Sequence, residues 1–187
     1  MDEQTVSWGE LRQFVRRACP STLRARYHHR QDGRDLWADV VFKAPDRWRV
    51  ADGAWRELSD GTTVVRITDG GRVTADHAAG HPVWPGVQAM VTPGTAGFDD
   101  WHGMAVPRAR PAVKGGRPAW QITLPPKHAS APPVRLFADQ ATGMVLAMEA
   151  GAELVELLDI VLDQPVDDAC FSWHRRIHRD LRRRRPR

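Results

Sequence analysis

Hydrophobic positions change their period along the chain, and the changes mark out its elements. Leu11, Phe14, Val15 and Ala18 recur at i, i+3, i+4 and i+7, one apolar face of a helix. Ser7 and Glu10 form an S-x-x-E capping box before them, and Val6 and Leu11 stand where a hydrophobic staple would. Pro20 pushes Cys19 out of helical geometry, so the pattern predicts a helix over about 7–19.

Period-two alternation follows. Leu23–Arg30 carries Leu23, Ala25 and Tyr27 on one side, and Asp32-Gly33 turns it back into a hairpin. In Leu36–Lys43, Leu36, Ala38, Val40 and Phe42 share one face, while Trp37, Asp39, Val41 and Lys43 share the other. Arg47–Ala51 turns Trp48 and Val50 inward. Asp-Gly pairs at 52, 60 and 69 then predict short antiparallel strands near 55–58, 62–68 and 72–76.

Between His77 and Gly103, prolines and glycines leave room only for a helical turn near Gly86–Val91, which reads as a lid or crossing loop. Strands resume at Met104–Ala109, around Trp120, Ile122 and Leu124, and in the pair Val134–Asp139 and Met144–Glu149. Ala152–Leu162 suits a helix face or a strand; the surrounding meander favours strand. Cys170–Trp173 reads as a final short strand. The pattern as a whole predicts an α+β fold, mostly antiparallel sheet, with one N-terminal helix.

Composition narrows the class. With 187 residues, 42% of them hydrophobic, the chain is neither disordered nor short of a core. Fourteen prolines and fifteen glycines argue against a helical bundle. The longest apolar candidate, Met144–Leu162, is broken by four acidic residues and does not read as a spanning helix. The formal charge of +4 resolves into two parts. Residues 174–187 hold eight arginines and one aspartate; removing them from 27 basic and 23 acidic residues leaves 19 and 22, a net of −3. The organisation expected is one domain over 1–173 and a basic, flexible tail over 174–187, which a phosphate-bearing or otherwise acidic partner would suit.

The start MDEQTVSWGELRQFVRRACP has no apolar run, so no export signal is visible. That predicts a cytoplasmic protein as the sequence is written, or a cell-envelope protein if a leader is missing. Cys19 and Cys170 belong to no C-x-x-C pair, and the simplest reading is two small buried thiols.

Chemistry-bearing motifs are sparse. His77–His81 and His174–His178 have metal-like spacing, but Gly80 and Pro82 spoil the first as a helix and arginines surround the second, so no metal site is expected. There is no G-x-S-x-G, P-loop, G-x-G-x-x-G or H-E-x-x-H. Catalytic residues and cofactors are therefore not assigned. Asp99, Asp100 and His102 form the one polar cluster that could do acid–base work. Eight tryptophans against one tyrosine are more informative. They fill a core or line a wide apolar cavity, and Met90, Met104, Met144 and Met148 could add an adaptable lining.

Four segments carry a family resemblance: LWADVVFKAPDRWRV (36–50), DGTTVVRITDGGRV (60–73), VRLFADQATGMVLAMEA (134–150) and LDQPVDDACF (162–171). They resemble the LolA-like lipoprotein carriers and their actinobacterial relatives. Pro45, Arg47, Trp48 and Arg49 match P-x-R-[FW]-R; Asp139, Thr142 and Gly143 match D-x-x-T-G; Asp167, Asp168 and Phe171 match D-D-x-x-F. The resemblance covers Leu23 to Trp173 and implies a strongly curved half-barrel sheet. Helices and a lid segment would cover its concave side around a cavity for acyl chains.

The function expected is non-catalytic binding or carrying of a hydrophobic, lipid-like ligand. Trp37, Val41, Trp48, Met90, Met104 and Trp120 are the expected lining. The alternatives are an enzyme of small-molecule biosynthesis reusing the same cavity, with His102, Asp99 or Asp100 as acid or base, and a regulatory or sensor module whose arginine tail meets a partner.

Overall fold

Local side-chain chemistry decides where each element begins. In the computed structural model, which describes residues 5–68, 70–77, 85–95, 106–126 and 128–173, helix α1 (Trp8–Arg16) opens on the capping box. The Glu10 amide donates to Ser7 Oγ at 3.3 Å, and the Ser7 amide donates to Glu10 Oε2 at 2.9 Å. The helix ends before Cys19, because the Arg17 and Ala18 amides close on Phe14 and Val15, three residues back.

Among the described residues eleven strands follow: β1 (Thr22–Gln31), β2 (Arg34–Lys43), β3 (Arg47–Ala51), β4 (Trp55–Ser59), β5 (Thr63–Thr68), β6 (Val73–His77), β7 (Arg110–Lys114), β8 (Arg117–Leu124), β9 (Val134–Asp139), β10 (Val145–Ala150) and β11 (Glu153–Leu162). Helix α2 (Pro85–Val91) lies between β6 and β7. Every ladder is antiparallel. The order β6-β5-β4-β3-β2-β1-β11-β10-β9-β8-β7 makes one sheet, in which the first and last strands are central neighbours.

The Asp-Gly dipeptides at 32, 52 and 60 act as strand punctuation, while Asp69 lies outside the described residues. Asp32 and Gly33 both have positive φ, 51° and 72°, the requirement of a tight two-residue hairpin turn. Asp52 Oδ1 accepts from the Ala54 and Trp55 amides, and Asp60 Oδ1 from those of Thr62 and Thr63, so each carboxylate caps the start of the next strand. Segment 152–162 is strand because β1 and β10 flank it on both edges.

Two expected strands are corrected. Cys170 and Phe171 belong to a 3-10 turn (Asp168–Phe171), in which Asp167 Oδ1 accepts from the Ala169 amide at 3.0 Å. In Met104–Ala109, Met104 lies outside the described residues and Pro107 has no N–H for a ladder; only Ala109 pairs, in a bridge to Val6 ahead of β7.

Alternation gives the sheet two unlike faces. The inner face, which carries both helices, gathers Leu23, Ala25 and Tyr27, Ala38, Val40 and Phe42, Trp48 and Val50, and Ile122 and Leu124, with Leu11 and Val15 of α1 and Val87, Met90 and Val91 of α2. The outer face carries a smaller cluster around Phe137, Leu146 and Ala147. Glycines let the helices seat closely. A Cβ on Gly143, at φ +76°, would stand 2.8 Å from the Phe14 carbonyl oxygen, and one on Gly86 would stand 2.6 Å from Tyr27 Oη.

Candidate functional site at the inner face

The inner face divides into a packed interior and a mouth. In the interior, Leu11 of α1 and Val87, Met90 and Val91 of α2 are fully buried in the inner-face cluster, and Phe42 and Trp48 pack with ring centroids 4.4 Å apart. Toward the tip of the β1–β2 hairpin the face becomes amphipathic. Tyr27 lies 6.3 Å from the His29 ring, and His29 Nε2 lies 3.2 Å from Glu153 Oε1. A cavity of about 440 Å³ is lined there by His29, Gln31, Arg34 and Leu36. A second, of about 390 Å³, is lined by Gln31, Val134, Ala150 and Glu153.

Electrostatics at the boundary favour neutrality. Burial raises the Tyr27 phenol from its ordinary 10.0 to about 12, assisted by the negative charge of Glu153. At the start of α1, Trp8 Nε1 is buried with no hydrogen-bond acceptor among the described residues. A donor left that way costs about 1–3 kcal/mol of stability.

The six residues expected to line a cavity do not share one surface. Trp48, Met90 and Trp120 come together in the inner cluster. Trp37 and Val41 cannot join them, because strand alternation turns odd-numbered β2 residues to the outer face while Phe42 pairs with Trp48 inside. Met104 lies outside the described residues, as do Asp99, Asp100, His102, His81, His174 and His178. Among the described residues, no group of three or more His, Cys, Asp or Glu could hold a metal ion.

Trp37 instead stacks on His28, with centroids 4.0 Å apart and planes 7° apart, and the Arg26 guanidinium lies 4.9 Å from the indole centre. The His28 ring is clamped at both ends, Nδ1 at 3.0 Å from Glu156 and Nε2 at 2.7 Å from Asp35. Burial opposes ionisation of Glu156, but hydrogen bonds from His28 and Lys114 outweigh it and hold the carboxyl below the usual range. This outer network crosses several strands and holds the sheet together; it opens onto no described cavity.

The motif residues are structural as well. Asp139, 1% exposed, accepts from the Ala141 and Thr142 amides, from the Thr142 hydroxyl and from Arg117 Nε at 2.6 Å. Burial raises its pKa, and these bonds outweigh that and bring it below the usual range. Cys19 is exposed and Cys170 half-buried, both as free thiols, so the expectation of two buried cysteines is corrected: Cys19 lies beyond the helix end, outside the core.

Sequence reasoning passed over the mouth residues His29, Leu36 and Glu153. The signal that finds them is register: Gln31 pairs with Arg34 and His29 with Leu36, so they continue the inward parity of Tyr27.

No protein-family model matches the chain, and no curated protein sequence does. Solved structures match it in architecture. The crystal structure of MucB superposes with a TM-score of 0.55 at 13% identity, over 89% of this chain and 62% of MucB. The fold is LolA-like. MucB in complex with MucA(peri) aligns with a TM-score of 0.48 at 14% identity, over 87% of this chain and 57% of that one. A DUF1329 family protein from Desulfovibrio piger aligns at 0.31 and 10% identity, over 87% and 92%. At such identities the likeness concerns the LolA-like half-barrel alone, and this chain spans 62% of the length of MucB. Among the described residues, no helix is long and apolar enough to cross a membrane.

Proposed function

We propose that the protein is a non-catalytic binder of a hydrophobic, lipid-like ligand held between the inner face and helices α1 and α2. The observation that carries this reading is continuity. Apolar inner-face surface runs from Leu23 and Phe42 under the helices to Val134, which packs against that cluster and lines the mouth cavity of about 390 Å³; Leu36 lines the neighbouring one of about 440 Å³. An acyl chain entering there removes apolar surface from water at about 25 cal/mol per Å².

Two further features support the reading, one favouring a polar end on the ligand and the other an opening for it. Trp8 Nε1 supplies a desolvated donor within the apolar cluster, and a carbonyl or carboxylate oxygen would satisfy it. The cover is also thin. Helix α1 has 9 residues and α2 has 7, lengths that hold their shape only by packing, so they can lift without breaking a long helix.

Native mass spectrometry of the purified protein tests the reading. The expected result is a co-purifying species of lipid mass that collisional activation releases. A protein that stays at its sequence mass, and takes up no added fatty acid or phospholipid, contradicts it.

A further inference from the structure

The outer face of β3 and β4 carries a groove that the inner-face reading does not use. Arg49 pairs with Leu58 and Arg56 with Ala51, so the two arginines are diagonal neighbours on one face. Two cavities, of about 440 and 290 Å³, are both lined by Arg49, Arg56 and Trp173. Ile67 adds apolar surface to the larger and Leu58 to the smaller.

Trp173 reaches this place because the C-terminal turn is strapped down. Asp168 accepts from Lys43 and lies 2.7 Å from Arg47 Nη1, and Phe171 is buried. The strap gives Lys43 and Arg47 one shared carboxylate, Asp168. It leaves Arg49 and Arg56 with no ion-pair partner among the described residues, side by side at an aromatic wall.

We infer that this groove binds an acidic peptide segment, with one carboxylate held between Arg49 and Arg56 and an apolar neighbour against Trp173. Paired guanidiniums suit a carboxylate because each offers donors in a fixed fork. Asp39 lines the larger cavity. A negative wall opposes a continuous phosphate backbone, whose affinity grows with every phosphate neutralised, yet it can accept from a peptide N–H. Nothing in this inference depends on what the inner face binds.

The test is fluorescence anisotropy of a labelled peptide of alternating Glu and Leu, titrated with the full chain. Replacing both arginines (Arg49→Gln, Arg56→Gln) is expected to weaken binding by about tenfold or more at low salt. The pair Arg49→Lys, Arg56→Lys is expected to recover part of it, and an alternating Lys and Leu peptide is expected not to bind. Unchanged affinity in the Gln pair, with the thermal midpoint preserved, overturns the inference. So does tighter, arginine-dependent binding of single-stranded DNA or of anionic phospholipid vesicles.

Discussion

Arg47 Nη1 lies 2.7 Å from Asp168 Oδ1, joining the third strand to the 3-10 turn at Asp168–Phe171. The contact connects two motifs far apart in sequence, P-D-R-W-R and D-D-A-C-F, and gives each a physical reason. Trp48 fills the inner core while Arg47 and Asp168 clasp on the outer face. Hydrogen bonds from Lys43 and then Arg47 hold the Asp168 carboxyl below its ordinary range. A depressed carboxyl contributes its holding effect above the ordinary carboxylate range and loses it as pH falls through the lowered value. Asp168→Asn is therefore expected to loosen the turn at neutral pH. Hydrogen exchange checks this at the Cys170 amide, which donates to the Asp167 carbonyl. Protection should fall by about tenfold, and equal protection in variant and parent contradicts the clasp.

Tyr27 is the single tyrosine of the sequence, which makes its phenol a clean reporter. Absorbance titration is expected to show tyrosinate forming near pH 12 in the folded protein and near 10.0 in urea. The sign follows from linkage. Below pH 10.0 the phenol is neutral in both states; above it the unfolded chain ionises first, so stability falls as pH rises toward the folded value. A hundredfold displacement corresponds to about 3 kcal/mol. Titration near 10.0 in the folded protein would mean that α2 does not cover Tyr27.

Trp8 separates a structural indole from one that meets a ligand. Trp8→Phe keeps most of the apolar contact and removes a buried donor, so the ligand-free protein should be equally stable or gain about 1 kcal/mol. If the donor meets the polar end of an acyl ligand, the same variant binds a fatty acid more weakly while its affinity for a plain hydrocarbon chain is unchanged. Calorimetric melting and ligand titration read the two effects separately. Loss of affinity for both ligands alike would place Trp8 in packing only.

Much of the fold was legible because each signal was local. The capping box, the Asp-Gly turns and the β2–β3 alternation each determine their own few residues, and the strands follow them closely. The end of the chain was not legible from period alone. Cys170–Trp173 has strand-like composition, but the Asp167 cap and the Asp168 clasp to Lys43 and Arg47 fold it into a turn. The site was less legible than the fold. Trp37 and Val41 have the bulk of cavity-lining residues, but strand alternation, plain in the sequence, places them on the face opposite Phe42. The mouth became visible only with register, since the pairing of His29 with Leu36 and the approach of Glu153 depend on β1 lying between β2 and β11.

Leu36 and Trp37 are neighbours in the chain, yet they face opposite sides of the sheet and are similarly exposed, at 37% and 41%. That makes them the most direct test of inner-face binding. Titration of a fluorescent polyene fatty acid, read by energy transfer from tryptophan, should give saturable uptake by the parent protein. Leu36→Lys is expected to weaken it by about tenfold, because a charge is set where the chain must pass, and Trp37→Ala is expected to leave the affinity unchanged. The account is contradicted if the parent shows no saturable uptake, or if Trp37→Ala abolishes uptake while Leu36→Lys does not affect it.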